Sequence, residues 1–331
     1  CALPICKGVY CFQKGRPSMA GFLTHYLFGM ESCDILSDNY IREVIKNNNH
    51  AFLLGLQGNN LLSFNPHTLS KRGLSYRTAS MTMRNQEYAA FFNNMLDTLS
   101  GMGDQERDIC IAYMAGYLCF FAIDQSASPY ILFRVWQDLP AKSTSSRMMS
   151  HRRKVETTID TVLLRSRCHM EPSQLNFEAL TFASRKDLSA IAYLMRQTIQ
   201  TTYKYRIPMS EISNGVKNLR RQNIHIRPDA HFYHFLRYKI EGSFPLLPSH
   251  RAKIYQDYQS DEQDYMNTEK HPWYTYPGCP EASYLSFEEI FEQALQNSHQ
   301  LLENLDSCLA WDMDREGLIN SIIHMNPYPS I

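Results

Sequence analysis

The chain has 331 residues, of which 44% are apolar or aromatic and 20% are charged, and its 33 Lys and Arg balance its 33 Asp and Glu. A chain of this length and composition buries a large core, which excludes an intrinsically disordered protein. The zero net charge argues against a nucleic-acid-binding protein, because such proteins carry an excess of basic residues. Nine cysteines without a CxxC pair predict neither a disulfide scaffold nor a thiolate metal site, so a reducing compartment is expected.

The two ends of the chain are predicted to lie outside the folded domain. Residues 1–18 lack the continuous apolar core of a signal peptide, and we expect them to be an extension or a trimmed leader. The domain is predicted over 19–310, and 311–331 is predicted to be a C-terminal tail. The uncharged and apolar run Ile109–Ile123, between Asp108 and Asp124, is 15 residues long, shorter than the roughly 20 that span a bilayer. It predicts a helix buried on all sides, no transmembrane segment and a cytoplasmic protein.

Apolar residues recur at helical spacing along most of the chain, and no segment alternates as a strand does. The first helix is predicted from Met19 onward. The last has a capping box at its start, formed by Ser286 and Glu289. The predicted helices after the first are 38–47, 85–100, 106–124, 128–138, 147–165, 186–203, 209–222, 229–240 and 286–309. The sequence therefore predicts an all-α protein.

Three segments together resemble the zinc-dependent phospholipase C-like domain family. Residues 24–29 read T-H-Y-L-F-G, where the family opens with T-H-Y-x-F-G. Residues 54–60 read L-G-L-Q-G-N-N against the family's L-G-L-Q-G-P-D. Residues 117–130 read Y-L-C-F-F-A-I-D-Q-S-A-S-P-Y against F-x-C-H-Y-x-L-D-x-x-x-H-P-Y. The resemblance implies one all-α domain that holds a zinc cluster between its helices and hydrolyses phosphodiesters.

The resemblance also implies metal ligands, and several of these positions hold other residues here. The family's His, Asp and His, four residues apart on one helix face, fall on Phe120, Asp124 and Ser128. A phenyl ring has no lone pair for a metal, and a serine hydroxyl is a poor substitute for imidazole. Two of the three ligands on this helix are therefore replaced.

The remaining ligand positions that the resemblance implies are spread along the chain. Asn60 stands at an aspartate position, and Arg84 and Arg152 stand at histidine positions. His151 lies one residue from Arg152, which is about 100° around a helix. The remnant candidates for metal ligation are His25, Asn60, Asp124, His151 and Glu156. We expect zinc, the cofactor of the family, to bind weakly or not at all.

These replacements predict a non-catalytic protein that binds a phosphorylated small molecule, a lipid head group or a partner in the former active-site pocket. Arg84, Arg152 or both are expected to supply positive charge to Asp124 and Glu156 in place of the metal. The competing interpretation is that these arginines only face solvent at the rim of the site. The alternative is an active phosphodiester hydrolase with fewer metals, in which Asp124 orients or deprotonates the attacking water. A second alternative is a scaffold protein that uses an outer face.

Two further groups of residues have a structural and a functional interpretation. His231 and His234 have the spacing of a helical metal pair, but aromatic neighbours favour a packed helix. The basic residues over 147–154 could contact phosphate, but an exposed helix face is favoured because helical positions that close together point in several directions.

Overall fold

A computed structural model of the chain describes residues 20–63, 87–140, 142–231, 234–235, 251–310 and 315–325. The prediction of an all-α protein is confirmed within these ranges, where the one strand-like contact is a bridge between Trp273 and Ser283. The helices are α1 Phe22–Asp34, α2 Tyr40–Asn47, α3 Asn49–Gly55, α4 Asn60–Ser63, α5 Tyr88–Ser100, α6 Asp104–Gln137, α7 Ser145–Cys168, α8 Arg185–Tyr203, α9 Met209–His225, α10 Phe287–Ala310 and α11 Arg315–His324. Short 3₁₀ turns lie at Pro172–Gln174, Ala179–Thr181 and Arg251–Lys253.

Helix α6 is the centre of the fold, and every residue from Ile109 to Gln125 is buried. The predicted break between helices 106–124 and 128–138 is wrong, because α6 continues through Pro129. Proline removes one backbone hydrogen bond, but packing on all sides of the helix outweighs that loss. In length and composition α6 could cross a membrane, although 89% of its most apolar 18-residue stretch is buried inside the fold.

Three helices in the described ranges were not predicted, namely α3, α4 and α11. Helix α4 is a single turn of four residues. Helix α3 is short and continues almost directly from α2. Helix α11 lies inside the segment predicted to be a tail, and it buries Leu318 and Ile322. The guanidinium of Arg315 donates to Asn93 and Asp97 of α5, so this part of the predicted tail belongs to the folded domain. Most of the helix predicted over 229–240 lies outside the described residues.

Helices α3 and α6 cross with their backbones in direct contact. A β-carbon on Gly116 would lie 2.1 Å from the carbonyl oxygen of Phe52, and one on Gly55 would lie 2.2 Å from that of Tyr113. Side chains at these two positions would force the helices apart, so glycine is required on both sides of the crossing.

The first and last long helices of the domain meet at Arg167 of α7. Its guanidinium pairs with Glu31 of α1 and with Glu288 and Glu292 of α10, and it lies 4.1 Å from the ring centroid of Phe291. The hydroxyls of Ser32 and Ser298, also on α1 and α10, lie 2.8 Å apart. These contacts tie together helices that are far apart in the sequence.

Candidate functional site

Phe120, Asp124 and Ser128 share one face of α6 and are all buried. The Ser128 hydroxyl donates a hydrogen bond to Asp124 Oδ1 over 3.2 Å. Position 128, where the family has a ligand histidine, thus contributes a hydrogen bond to the neighbouring carboxylate.

The Phe120 ring packs against residues from the other two motifs. It stacks on the imidazole of His25, with the centroids 4.8 Å apart and the planes inclined by 18°. It also lies against Gly58, where φ is +49° and an added β-carbon would come within 2.2 Å of the ring. His25 itself is buried, and its Nδ1–H donates to the carbonyl oxygen of Gly21 over 2.8 Å. The three motifs therefore meet around an aromatic stack.

Arg152 and Glu156 form an ion pair along α7, with Nε and Oε1 separated by 2.6 Å. Both side chains are mostly shielded, with 13% and 15% of their surfaces exposed. Burial raises the pKa of Glu156, and the charge of Arg152 opposes that rise. The pairing expected of Arg152 is therefore present, whereas Arg84 lies outside the described residues.

The other candidate ligands do not converge on this pair. His151 Nε2 lies 3.0 Å from Asp138 Oδ2, and its position on α7 is about 140° around the helix from Glu156. Asn60 is buried at the start of α4, where its backbone N–H donates to the carbonyl of Gln57. Within the described part of the chain, no group of three or more His, Cys, Asp or Glu is placed to hold a metal ion.

Among the residues that the structure describes, those at the implied ligand positions do not offer the ligands of the zinc cluster that the resemblance implies. Zinc requires nitrogen, sulfur or carboxylate lone pairs around one point. Phe120 offers none and stacks directly on His25, one of the remnant candidates. Glu156, another candidate, is held by Arg152.

Asp160 was not among the predicted site residues. Its carboxylate is fully buried and accepts hydrogen bonds from four donors. It accepts from the backbone N–H groups of Leu23 and Thr24, from the Thr24 hydroxyl, and from the Tyr255 hydroxyl, over 2.6–3.0 Å. Helix α1 has no side-chain cap of its own at Gly21, so Asp160 satisfies the amides at its N-terminus. The available sequence signal was an aspartate on the buried side of α7, between Ile159 and Thr161.

The contribution of Asp160 to stability is expected to depend on pH. Burial raises its pKa from 3.8 to about 6, although the bonds from Thr24 and Tyr255 act to lower it. The folded protein then holds this proton more tightly than the unfolded chain. The part of its contribution that depends on protonation is therefore fully present below about pH 4 and is lost as the pH rises through about 6, a change of about 3 kcal/mol. The hydrogen bonds that the carboxylate accepts remain above that pH. Urea unfolding of the wild type and Asp160→Asn between pH 4 and 7 measures it. A pH-independent difference between the two proteins contradicts this expectation.

A pocket of about 580 Å³ lies beside α7, between the end of α6 and the segment 252–259. Helix α7 contributes Arg147, Ser150, His151, Lys154 and Thr157, which recur every three or four residues and so share one face. The rest of the lining is Asp138, Leu139, Ala252, Ile254, Gln256 and Gln259. The interpretation of the basic residues as a plain exposed face is thus incomplete, because three of them line one pocket.

In comparisons with family models, with curated proteins and with solved structures, nothing matches this chain. The assignment to the zinc-dependent phospholipase C-like family therefore stays a prediction that rests on the three motifs and their order.

Proposed function

We propose that the protein is a non-catalytic relative of the zinc-dependent phospholipases C, in which the metal centre has become packed core and the remaining function is binding. The observation that carries the proposal is the stack of Phe120 on His25. The side chains at two of the family's ligand positions stack on each other there, and a phenyl ring cannot ligate a metal.

The carboxylates of the former centre support the same proposal. Ser128 donates to Asp124, and Arg152 neutralises Glu156. A carboxylate buried without a metal is costly unless it is paired or hydrogen-bonded. Binding of a phosphorylated ligand or a partner in the former active-site pocket stays a prediction, because Arg84 lies outside the described residues.

Metal analysis of protein purified without chelators tests the proposal. We expect less than half an equivalent of zinc and no turnover of a chromogenic phosphodiester. The double variant Phe120→His/Ser128→His places two imidazoles beside Asp124, and we expect it to take up roughly one equivalent, because catalytic zinc sites typically use three protein ligands. The matched control adds Asp124→Asn to the double variant and should lose that zinc.

Three results would contradict the proposal in different ways. Two or more zinc ions in the wild type, with turnover that Asp124→Asn abolishes, would identify an active hydrolase. Zinc in neither the wild type nor the folded double variant would show that the three positions do not form a remnant metal site. Zinc retained by the Asp124→Asn control would place the ion elsewhere.

A further inference from the structure

The pocket beside α7 differs from the rest of the helix in its unpaired positive charge. Arg152, Arg165 and Arg167 each pair with a carboxylate. In the described ranges, by contrast, neither Arg147 nor Lys154 lies within ion-pair distance of one. Both side chains line the pocket, which leaves two cations available to an anion.

The other residues that line the pocket do not neutralise the positive charge of Arg147 and Lys154. Asp138, at the end of α6, is the one carboxylate among the lining residues, and His151 Nε2 hydrogen-bonds to it. The residues that the segment 252–259 contributes to the lining are uncharged. Two positive charges and one engaged negative charge favour an anionic ligand.

Arg147 and Lys154 lie two helical turns apart on one face of α7, about 10.5 Å along the helix axis, and both line the pocket. Arg147 lies four residues before His151 and Lys154 lies three residues after it, one helical turn on each side. A phosphate monoester carries a charge of about −1.5 to −2 and three acceptor oxygens, so it can engage both cations. A carboxylate carries a single charge and engages one guanidinium in a bidentate pair.

The volume and the polar lining indicate a ligand larger than phosphate alone. The 580 Å³ of the pocket falls in the range of small-molecule sites. Ser150 and Thr157 donate their hydroxyl protons to backbone carbonyls of α7, and the Gln259 amide nitrogen donates to Thr158. The side-chain oxygens of Thr157 and Gln259 keep lone pairs that accept hydrogen bonds from ligand hydroxyls.

We propose that this pocket binds a phosphate monoester whose organic part carries hydroxyl groups, with the phosphate held by Arg147 and Lys154. The inference goes beyond the proposed function and does not rest on it, because the pocket lies on a different face of α7 from Arg152 and Glu156. Zinc or phosphodiester turnover in the wild type would overturn the proposed function and leave this inference standing.

Isothermal titration calorimetry at low ionic strength, with glucose 6-phosphate as the probe, tests the pocket. We expect saturable binding of this probe, weaker binding of inorganic phosphate, and none of glucose. Arg147→Gln and Lys154→Gln should each raise the dissociation constant roughly tenfold, the loss of one charge-assisted contact. Asp138→Asn should lower it about threefold, because it removes the negative charge from the lining. Lys217→Gln, on the exposed side of α9, should leave it unchanged.

Several results would overturn the inference. Absence of saturable binding would do so, as would an effect of Lys154→Gln no larger than that of Lys217→Gln. If inorganic phosphate bound as tightly as glucose 6-phosphate, the hydroxyl-bearing part of the ligand would contribute nothing to binding. If glucose bound as tightly as glucose 6-phosphate, the phosphate would contribute nothing. A weaker complex with Asp138→Asn would show that the carboxylate contributes contacts instead of repulsion.

Discussion

Replacement of Asp160 by alanine is expected to lower the free energy of unfolding by about 4 kcal/mol, because it leaves buried donors without an acceptor. The backbone N–H groups of Leu23 and Thr24 and the hydroxyls of Thr24 and Tyr255 all donate to this carboxylate. Leu23, Thr24 and Tyr255 are all buried in the folded protein. Urea unfolding at pH 7, followed by circular dichroism, measures the loss.

Asp187 offers a matched control for this variant. Its carboxylate also accepts from a backbone N–H at a helix N-terminus, that of Ser184, but it is only partly buried. Asp187→Ala is expected to cost about 1 kcal/mol, as is typical of capping residues. Equal losses for the two variants would show that the buried network around Asp160 is worth no more than a surface cap.

Gly116→Ala is expected to destabilise the fold by about 3 kcal/mol, through a clash between two helix backbones. The added methyl group would lie 2.1 Å from the carbonyl oxygen of Phe52. A backbone oxygen inside a helix cannot rotate away as a side chain can, so α3 and α6 must separate. Thermal and urea unfolding both measure this effect.

Gly101→Ala makes the same chemical change where there is space. The nearest atom to the added methyl group would be 3.8 Å away, and φ at Gly101 is −94°, which alanine tolerates. Its stability is expected to stay within about 0.5 kcal/mol of the wild type or to rise slightly. If Gly116→Ala lowered the free energy of unfolding as little as Gly101→Ala does, the crossing of α3 and α6 would adjust to the added methyl group without strain.

Most helices were predictable because their apolar positions repeat every three to four residues. The errors fall where a local rule was outweighed by packing. Pro129 suggested a helix end, but its surroundings in α6 are buried on all sides. Helix α11 has only 10 residues and two buried apolar side chains, so its sequence pattern is weak and its stability depends on contacts with α5 and α10.

The candidate site was predictable only as far as one helix determines it. The common face of Phe120, Asp124 and Ser128 follows from their spacing. The stack of Phe120 on His25 joins residues from α1 and α6, and no local pattern specifies that contact. The pocket likewise needs the segment 252–259 beside α7, roughly 100 residues away along the chain. Contacts of that kind are set by the tertiary fold.

The pairing of α1 with α10 has a consequence for synthesis of the protein. Ser32 and Ser298 are 266 residues apart in the chain and yet in hydrogen-bond contact. At translation rates of about 5–20 residues per second, the partner helix follows roughly 13–50 s after α1 has left the ribosome. During that interval the apolar face of α1 has no α10 to cover it. The face of α1 that packs on α10 therefore stays open to non-native contacts until α10 has emerged.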